Sequence, residues 1–288
     1  MNFVTIADAP YIPGLLAMLQ SMKENGNLPA DTRFYVIHED PLEKRHIESL
    51  EQVGISIEFL PRQSLGDVPA LAPQYRDLFI FTFKKLLVLK LPVQGKVAFV
   101  DSDMLCLNPL DGIEELEHFS AAPAYGNSAP EDTAGGPMIN SGFFVYEPSE
   151  ELFNDVLDYY FNCGRSFDFG DQQVLSFYFR ERSSDPLHLC DLKWNTVKRL
   201  KHAFPQFFDL DKICFLHYVD TKPWERPRLH RFERHYIPLY HMWWPYFVRA
   251  NGQKWFPEIK RPVSSNAWEV CYLSKRLLQK LRVWPSKS

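Results

Sequence analysis

The 288-residue chain has no long hydrophobic run and no regular cysteine framework. No stretch approaches the roughly 18 consecutive apolar residues of a spanning helix, so we expect no membrane span. The five cysteines occur singly, without a CxxC pair, which disfavours a disulfide framework or a zinc site. The start, MNFVTIADAPYIPG, lacks a basic segment before an apolar run and is typical of a first strand, not of a signal peptide. Together these absences predict reduced thiols in a cytoplasmic protein.

Acidic residues become scarce in the last part of the chain. From Glu225 onward there are 13 basic and 4 acidic residues, whereas the preceding 224 residues hold 19 basic and 32 acidic ones. Five of the seven tryptophans lie beyond residue 240. We therefore predict a domain over residues 1–224 and a basic, aromatic extension over 225–288. This extension could lie peripherally at the inner face of an anionic membrane. Alternatively, its aromatic side chains complete the core or form a homodimer contact.

Apolar segments of strand length alternate with segments of helical period in the first hundred residues. Strands are predicted at 2–7, 33–38, 55–60 and 96–100, and helices at 11–22, 42–53 and 78–91. This alternation predicts an α/β fold with a Rossmann-like, mostly parallel sheet and helices on both faces. A more mixed region follows, with strands at 119–123, 141–146 and 212–217 and helices at 150–161, 171–179 and 267–281.

Two aspartates end the fourth predicted strand in KVAFVDSDMLCLNPL. In extended backbone, residues i and i+2 project to the same side, which brings the carboxylates of Asp101 and Asp103 together. Such carboxylates repel each other, and burying either costs on the order of several kcal/mol. A hard divalent cation would relieve both problems, at the strand ends where α/β sheets bind ligands. A capped surface loop after a strand would show the same two residues.

The segment FVDSDMLCLNPLDGI resembles the metal-binding segment of glycosyltransferase family 8, the retaining GT-A enzymes that include glycogenin and galactinol synthase. Other segments resemble the family in the same order: FVTIADAPYIPGLLAMLQSM, FTFKKL, INSGFFVYEPS, SFDFGDQQVLS and DLDKICFLHYVDTKPW. The resemblance extends from residue 3 to about residue 224. It implies a GT-A type fold for residues 1–224 and transfer of glucose or galactose from a UDP-hexose, with Mn²⁺ or Mg²⁺ as cofactor.

The resemblance also implies roles for individual residues. Asp101, Asp103 and His217 would bind the metal. The donor would be held at its base by Ile6, Ala7, Asp8 and Tyr11, and elsewhere by Arg76, Lys85, Ser102, Asn140, Ser141, Gly142, Asp168, Asp171, Gln172 and Lys222. From the residues alone, a buried core histidine is the favoured interpretation of His217. Asp168 and Asp171 are consistent with helix capping, and Arg76 and Lys85 with solvated helix charges.

The segment between His217 and Lys222 departs from the family pattern. It reads YVDT, whereas the family commonly has a longer spacer that contains glycine.

Retention of configuration can proceed through a covalent intermediate or by front-face attack, in which the leaving diphosphate removes the acceptor proton. Asp171 and Gln172 are candidates near the reactive face, but no dedicated nucleophile is evident. We therefore favour front-face attack, with Lys222 and the metal stabilising UDP as it leaves.

The acceptor is less constrained than the donor. DLDKICFLHY and KPW are most similar to the galactinol synthases, which implies a small polyol acceptor, and a saccharide or lipid-linked glycan is the alternative. No nucleic-acid partner is expected. A protein that binds a nucleotide sugar without transferring it would show the same segments. A nucleotidyltransferase is disfavoured because TIADAPYIPG lacks a glycine-rich phosphate loop after the first strand.

Overall fold

The structure is a computed structural model that describes residues 1–66, 84–125, 138–165, 167, 170–226, 230 and 232–280. The predicted donor contacts Arg76 and Asp168 lie outside the described residues, as does the first part of the helix predicted at 78–91. The described remainder of that helix, Lys84–Lys90, is a 3-10 helix.

Ten strands in the described residues form two sheets. They are β1 (Asn2–Ile6), β2 (Arg33–His38), β3 (Ser56–Pro61), β4 (Val97–Val100), β5 (Met104–Cys106), β6 (Ser120–Pro123), β7 (Ile139–Tyr146), β8 (His188–Leu189), β9 (Thr196–Val197) and β10 (Phe215–His217). The large sheet has the order β3-β2-β1-β4-β7-β6-β8, and the small one β5-β10-β9. In the large sheet β3, β2, β1 and β4 are parallel, and β7 runs antiparallel to both β4 and β6.

Helices cover both faces of the large sheet. In the described residues they are α1 (Ile12–Asn25), α2 (Lys44–Glu51), α3 (Glu150–Asn162), α4 (Asp171–Glu181), α5 (Leu200–Ala203), α6 (Ile237–Arg249), α7 (Gly252–Trp255) and α8 (Ser265–Lys280). Alternate side chains of β7 enter different cores, because successive strand residues point to opposite faces. Phe143 and Val145 pack in the core that contains α1 and α6, whereas Phe144 and Tyr146 pack with α3 and α4. The predicted α/β architecture is confirmed.

Several elements after residue 100 differ from those predicted from the sequence. The strands β5, β8 and β9 were not predicted, and the last strand was predicted from residue 212, whereas β10 begins at Phe215. The helix α6, whose sequence IPLYHMWWPYFVR contains two prolines, was not predicted either. Pro238 lies in the first turn, where a backbone N–H would have no intrahelical acceptor. Pro245 lies inside the helix, and a proline there argues against a helix when only the sequence is read.

The C-terminal segment, residues 232–280 of the described chain, packs on α1 through α6. Trp243 is fully buried and stacks on Phe247 with ring centroids 4.8 Å apart. At the rim, Arg249 donates two hydrogen bonds to the Glu24 carboxylate, at 2.7 and 2.6 Å. These aromatic side chains of α6 complete the core, which was one of the two alternatives considered. The division of the chain at residue 225 stays a prediction.

The last helix, α8, packs on the molecule through one side. Trp268 is buried, whereas Val270, Leu273 and Leu277 are more than half exposed, and Cys271 is also exposed. None of the helices in the described ranges combines the length and apolar character needed to span a membrane.

Candidate functional site

The acidic pair lies in the tight turn between β4 and β5. The backbone N–H of Asp101 donates to the Gly142 carbonyl of β7 at 2.8 Å, and that of Met104 donates to the Asp101 carbonyl at 3.2 Å. This turn places both carboxylates beside β7 at the end of β4. Asp103 is buried and the Asp101 side chain is 28% exposed. The pair therefore lies at the mouth of the sheet and not on a solvated loop tip.

His217, the last residue of β10, completes a three-residue cluster with these acids. Its Nε2 lies 3.1 Å from Asp103 Oδ1 and 3.8 Å from Asp101 Oδ2. Its Nδ1 lies 2.9 Å from Oδ1 of Asn195, whose amide nitrogen donates to Asn140 Oδ1 at 2.8 Å. Because an amide oxygen only accepts, Nδ1 carries the proton in this contact, and Nε2 is the ring nitrogen that faces the aspartates.

The donor set fits a divalent cation. One ligand atom each from Asp101, Asp103 and His217 can be chosen so that all lie within 4.8 Å of one another. Two carboxylates and a neutral imidazole suit Mn²⁺, and the carboxylates suit Mg²⁺. The hydrogen bond from His217 to Asn195 is the kind of outer contact that fixes a metal-binding histidine. These residues can therefore hold a metal ion.

Two lysines contact the acidic pair, one at each aspartate. Lys222 Nζ donates to Asp103 Oδ2 and to the Tyr218 carbonyl. Lys85 Nζ lies 3.0 Å from Asp101 Oδ1, 3.1 Å from the Ser141 carbonyl and 3.7 Å from Asp171 Oδ2. These contacts join the metal cluster to the residues predicted to bind the diphosphate and the sugar.

The charges in this cluster reinforce one another. Burial by itself raises the pKa of Asp103, but the nearby His217 and Lys222 lower that pKa by more than burial raises it. The pKa of Asp103 therefore lies well below its usual range. Burial by itself lowers the pKa of Lys85, but the nearby carboxylates of Asp101 and Asp171 raise it above its usual value. Asp103 is therefore ionised and Lys85 is charged at neutral pH.

Tyr11 lies at the open side of the cluster. Its side chain is 42% exposed, its ring meets the Trp224 ring edge-on at 6.3 Å, and Lys222 Nζ lies 5.8 Å from its centroid. The Trp224 ring can lie this close to α1 because Gly14, in the first turn of that helix, has no side chain. A Cβ at Gly14 would lie 2.2 Å from the Trp224 ring and 2.7 Å from the carbonyl oxygen of Ser102, which is itself buried.

Several predicted donor contacts also hold the framework together. The Ala7 N–H donates to the Ile37 carbonyl at 2.9 Å, and Asp8 Oδ1 accepts from the Glu39 N–H at 2.8 Å, which joins the ends of β1 and β2. Asn140 Oδ1 accepts from the Gly142 N–H at 2.9 Å. Gln172 is half-buried in the first turn of α4, and its carbonyl accepts from the Ser176 hydroxyl at 2.6 Å. The donor-binding roles of Ile6 and these residues remain predictions.

Asn195 and Lys198 are the residues of this region that sequence reasoning missed. Both lie in KWNTVK, where no motif or period distinguishes them, and only the pairing of β9 with β10 brings them to His217.

A Cβ at Gly142 would lie 2.5 Å from Cε1 of His217, so the close approach of β7 to the His217 ring requires glycine at this position.

Comparison with known proteins places the chain among glycosyltransferases by sequence. It is 30% identical to glycogenin-1 of Mus musculus over 219 residues, which is 75% of this chain and 58% of that protein. It is 27% identical to glycogenin-1 of Oryctolagus cuniculus over 276 residues, 86% of this chain and 75% of that protein. It is 28% identical to UDP-glucuronate:xylan alpha-glucuronosyltransferase 1 of Arabidopsis thaliana over 223 residues, 74% of this chain and 30% of that protein. No protein-family model matches the chain.

Solved structures agree at the level of the fold. Glycosyltransferase GlyE of Streptococcus pneumoniae TIGR4 aligns over the whole chain and 65% of its own length, with a TM-score of 0.59 and 18% identity. The galactosyltransferase LgtC, solved with donor and acceptor sugar analogues, aligns over 83% of this chain and 95% of its own, with a TM-score of 0.57 and 17% identity. The chain is thus a homologue of the glycogenins and the xylan glucuronosyltransferases, with the GT-A glycosyltransferase fold.

Proposed function

We propose that the chain is a metal-dependent, retaining glycosyltransferase that moves glucose or galactose from a UDP-sugar to a hydroxyl acceptor. The proposal rests above all on one observation: Asp101, Asp103 and His217 converge beside Lys222 and Lys85 in a homologue of glycogenin. The xylan glucuronosyltransferase relatives are named for a UDP-sugar donor, which favours UDP as the nucleotide.

The charge balance of the cluster supports metal dependence. Asp101, Asp103 and Asp171 carry three negative charges, against two positive ones on Lys85 and Lys222. Without a cation the site is net negative and would repel a diphosphate. A divalent ion bound by the two acids and His217 would reverse that sign and supply positive charge to the departing diphosphate. Binding of UDP should therefore require the metal.

The chain's own residues would act by positioning and by electrostatics. Lys222 lies beside Asp103, where its ammonium group can stabilise charge that develops on the leaving UDP. The buried Asp171, at the start of α4, lies 3.7 Å from Lys85 and is suited to orienting the sugar hydroxyls together with Gln172. This engagement of Asp171 favours front-face attack over a covalent intermediate. A small polyol or a saccharide is the proposed acceptor.

The test is a donor screen with UDP-, GDP- and CMP-sugars, on protein stripped of metal and then supplied with Mn²⁺. We expect turnover only with a UDP-hexose and only with the metal. Asp103→Asn should lower turnover at least about 100-fold, since metal stabilisation is worth several kcal/mol, and should leave the circular dichroism spectrum of the folded chain unchanged. Asp111→Asn, which changes an exposed aspartate, is the control. Normal turnover by metal-free Asp103→Asn would contradict the assignment.

Binding without turnover would indicate a different function. If calorimetry shows that UDP binds with Mn²⁺ but no donor is hydrolysed or transferred, the chain is a nucleotide-sugar-binding protein. The short YVDT loop, which sets the place of Lys222, is the feature that favours this alternative.

A further inference from the structure

A buried lysine lies under the loop that carries Lys222. Lys198 follows β9 and has no exposed surface, and its backbone N–H donates to the His217 carbonyl at 2.9 Å. A buried ammonium group is costly unless its hydrogens are bonded, so its partners are tightly specified. The roles proposed above do not use this group.

The partners of Lys198 join the loop to the C-terminal segment. Its Nζ donates to the Thr221 carbonyl and, at 2.9 Å, to the Tyr240 hydroxyl of α6. The Tyr240 hydroxyl in turn donates to Glu233 Oε1 at 2.6 Å, and its oxygen lies 3.3 Å from the Thr221 carbonyl oxygen. Thr221 and Glu233 are both buried. Thr221 directly precedes Lys222 in the chain, so this network holds the backbone on which Lys222 is mounted.

We propose that Lys198, held by Tyr240 and Glu233 of the C-terminal segment, is a positioning residue for Lys222. The inference rests on the proposed function, in which Lys222 stabilises the leaving diphosphate. The Lys222 side chain is long and flexible, so where its ammonium group lies depends on where its backbone is fixed. The loop contains a left-handed residue, Asp220 with φ of 63°, and has no regular secondary structure of its own to hold it. The carbonyl of Thr221, which accepts from the buried Lys198, is therefore the anchor directly before Lys222.

Tyr240→Phe tests this role, because it removes one hydroxyl and keeps the ring. Tyr236→Phe is the matched control: Lys198 Nζ lies 4.8 Å from the Tyr236 ring and 5.0 Å from the Tyr240 ring, but the Tyr236 hydroxyl pairs with His202 and not with the loop. Hydrogen exchange measured over residues 218–225, without ligand, should become faster in Tyr240→Phe and stay unchanged in Tyr236→Phe. Equal exchange in both variants overturns the inference, whatever the protein's activity.

A double-mutant cycle on donor turnover then asks whether the effect passes through Lys222. We expect Tyr240→Phe to lower kcat about tenfold with little change in KM, as losses of an outer hydrogen bond commonly do. In the Lys222→Met background the same change should have no further effect, whereas a merely structural role would lower activity in both backgrounds. Additive losses, or a wild-type kcat in Tyr240→Phe, overturn the inference while the proposed function stands. If wild-type protein neither binds UDP nor turns over a donor, the proposed function fails and the positioning role fails with it. The exchange data still decide whether the network of Lys198 and Tyr240 holds the loop.

Discussion

Asp220 shows how a single residue accommodates the unusual loop before Lys222. Its backbone is left-handed, with φ of 63°, a conformation that glycine adopts without strain and that aspartate tolerates better than most residues. Its carboxylate lies 3.0 Å from Arg199 at the surface. The loop thus makes a left-handed turn with aspartate, and the acidic side chain of that residue is paired with a cation.

Substitution at Asp220 separates backbone strain from charge. Asp220→Gly and Asp220→Ala both remove the exposed pair with Arg199, so their difference reports the backbone alone. We expect the alanine variant to be less stable than the glycine variant by about 1 kcal/mol, since alanine is strained at positive φ. Urea denaturation of the two variants measures this difference, and equal midpoints would mean that the loop does not keep this conformation in solution.

The resemblance to a glycosyltransferase family predicted more of the site residues than local sequence patterns did. Asp101, Asp103, His217, Lys85 and Lys222 come from three separate segments, and the structure brings them together. Patterns alone favoured a core histidine at His217, because nothing in ICFLH shows that β10 pairs with β5. Asn195 and Lys198 could not be predicted, since their importance comes from hydrogen bonds to distant residues and not from a local period.

At the scale of elements, the contact between α1 and α6 carries much of one core. Both helices bury large apolar side chains there, and the Trp224 ring packs on Trp243 with centroids 5.6 Å apart. The strands up to residue 100 were predicted well because each is a short apolar run between turn residues. The helix α6 was not, because an aromatic-rich segment with an internal proline has no clear helical stripe.

Removal of the central side chain of this contact should be costly. Trp243→Ala empties a fully buried site, and we expect a loss of about 3–5 kcal/mol in the free energy of unfolding. Val248→Ala, at a position 37% exposed on the same helix, should change stability by less than about 0.5 kcal/mol. Chemical denaturation of both variants gives the comparison; similar small losses would show that α6 does not pack on α1 as described.

At the scale of the whole molecule, the C-terminal segment does not stand apart from the rest. Its aromatic side chains close one core, and Tyr240 reaches the loop of the candidate site. The change in charge and tryptophan content at residue 225 predicted a boundary, but composition cannot tell whether an aromatic side chain faces a partner or its own core.

Truncation tests whether residues 1–224 fold alone. Because the apolar surface of α1 would be exposed, we expect a 1–224 chain to be aggregated or to lack a cooperative unfolding transition. A 1–264 chain, which loses α8 but keeps α6, should unfold cooperatively. Circular dichroism during thermal denaturation distinguishes the two. A cooperative transition in the 1–224 chain would instead establish the boundary as a true domain division.

The accessibility of the thiols has a practical consequence. Cys271 on α8 is the exposed one of the five cysteines, while Cys106 and Cys214 are buried and Cys163 and Cys190 are partly buried. Burial also raises the pKa of Cys190 to about 12 and that of Cys214 to about 11, which suppresses the reactive thiolate. A maleimide dye added at one equivalent should therefore label the native sequence at α8, and so provide a fluorescent handle without any engineered cysteine.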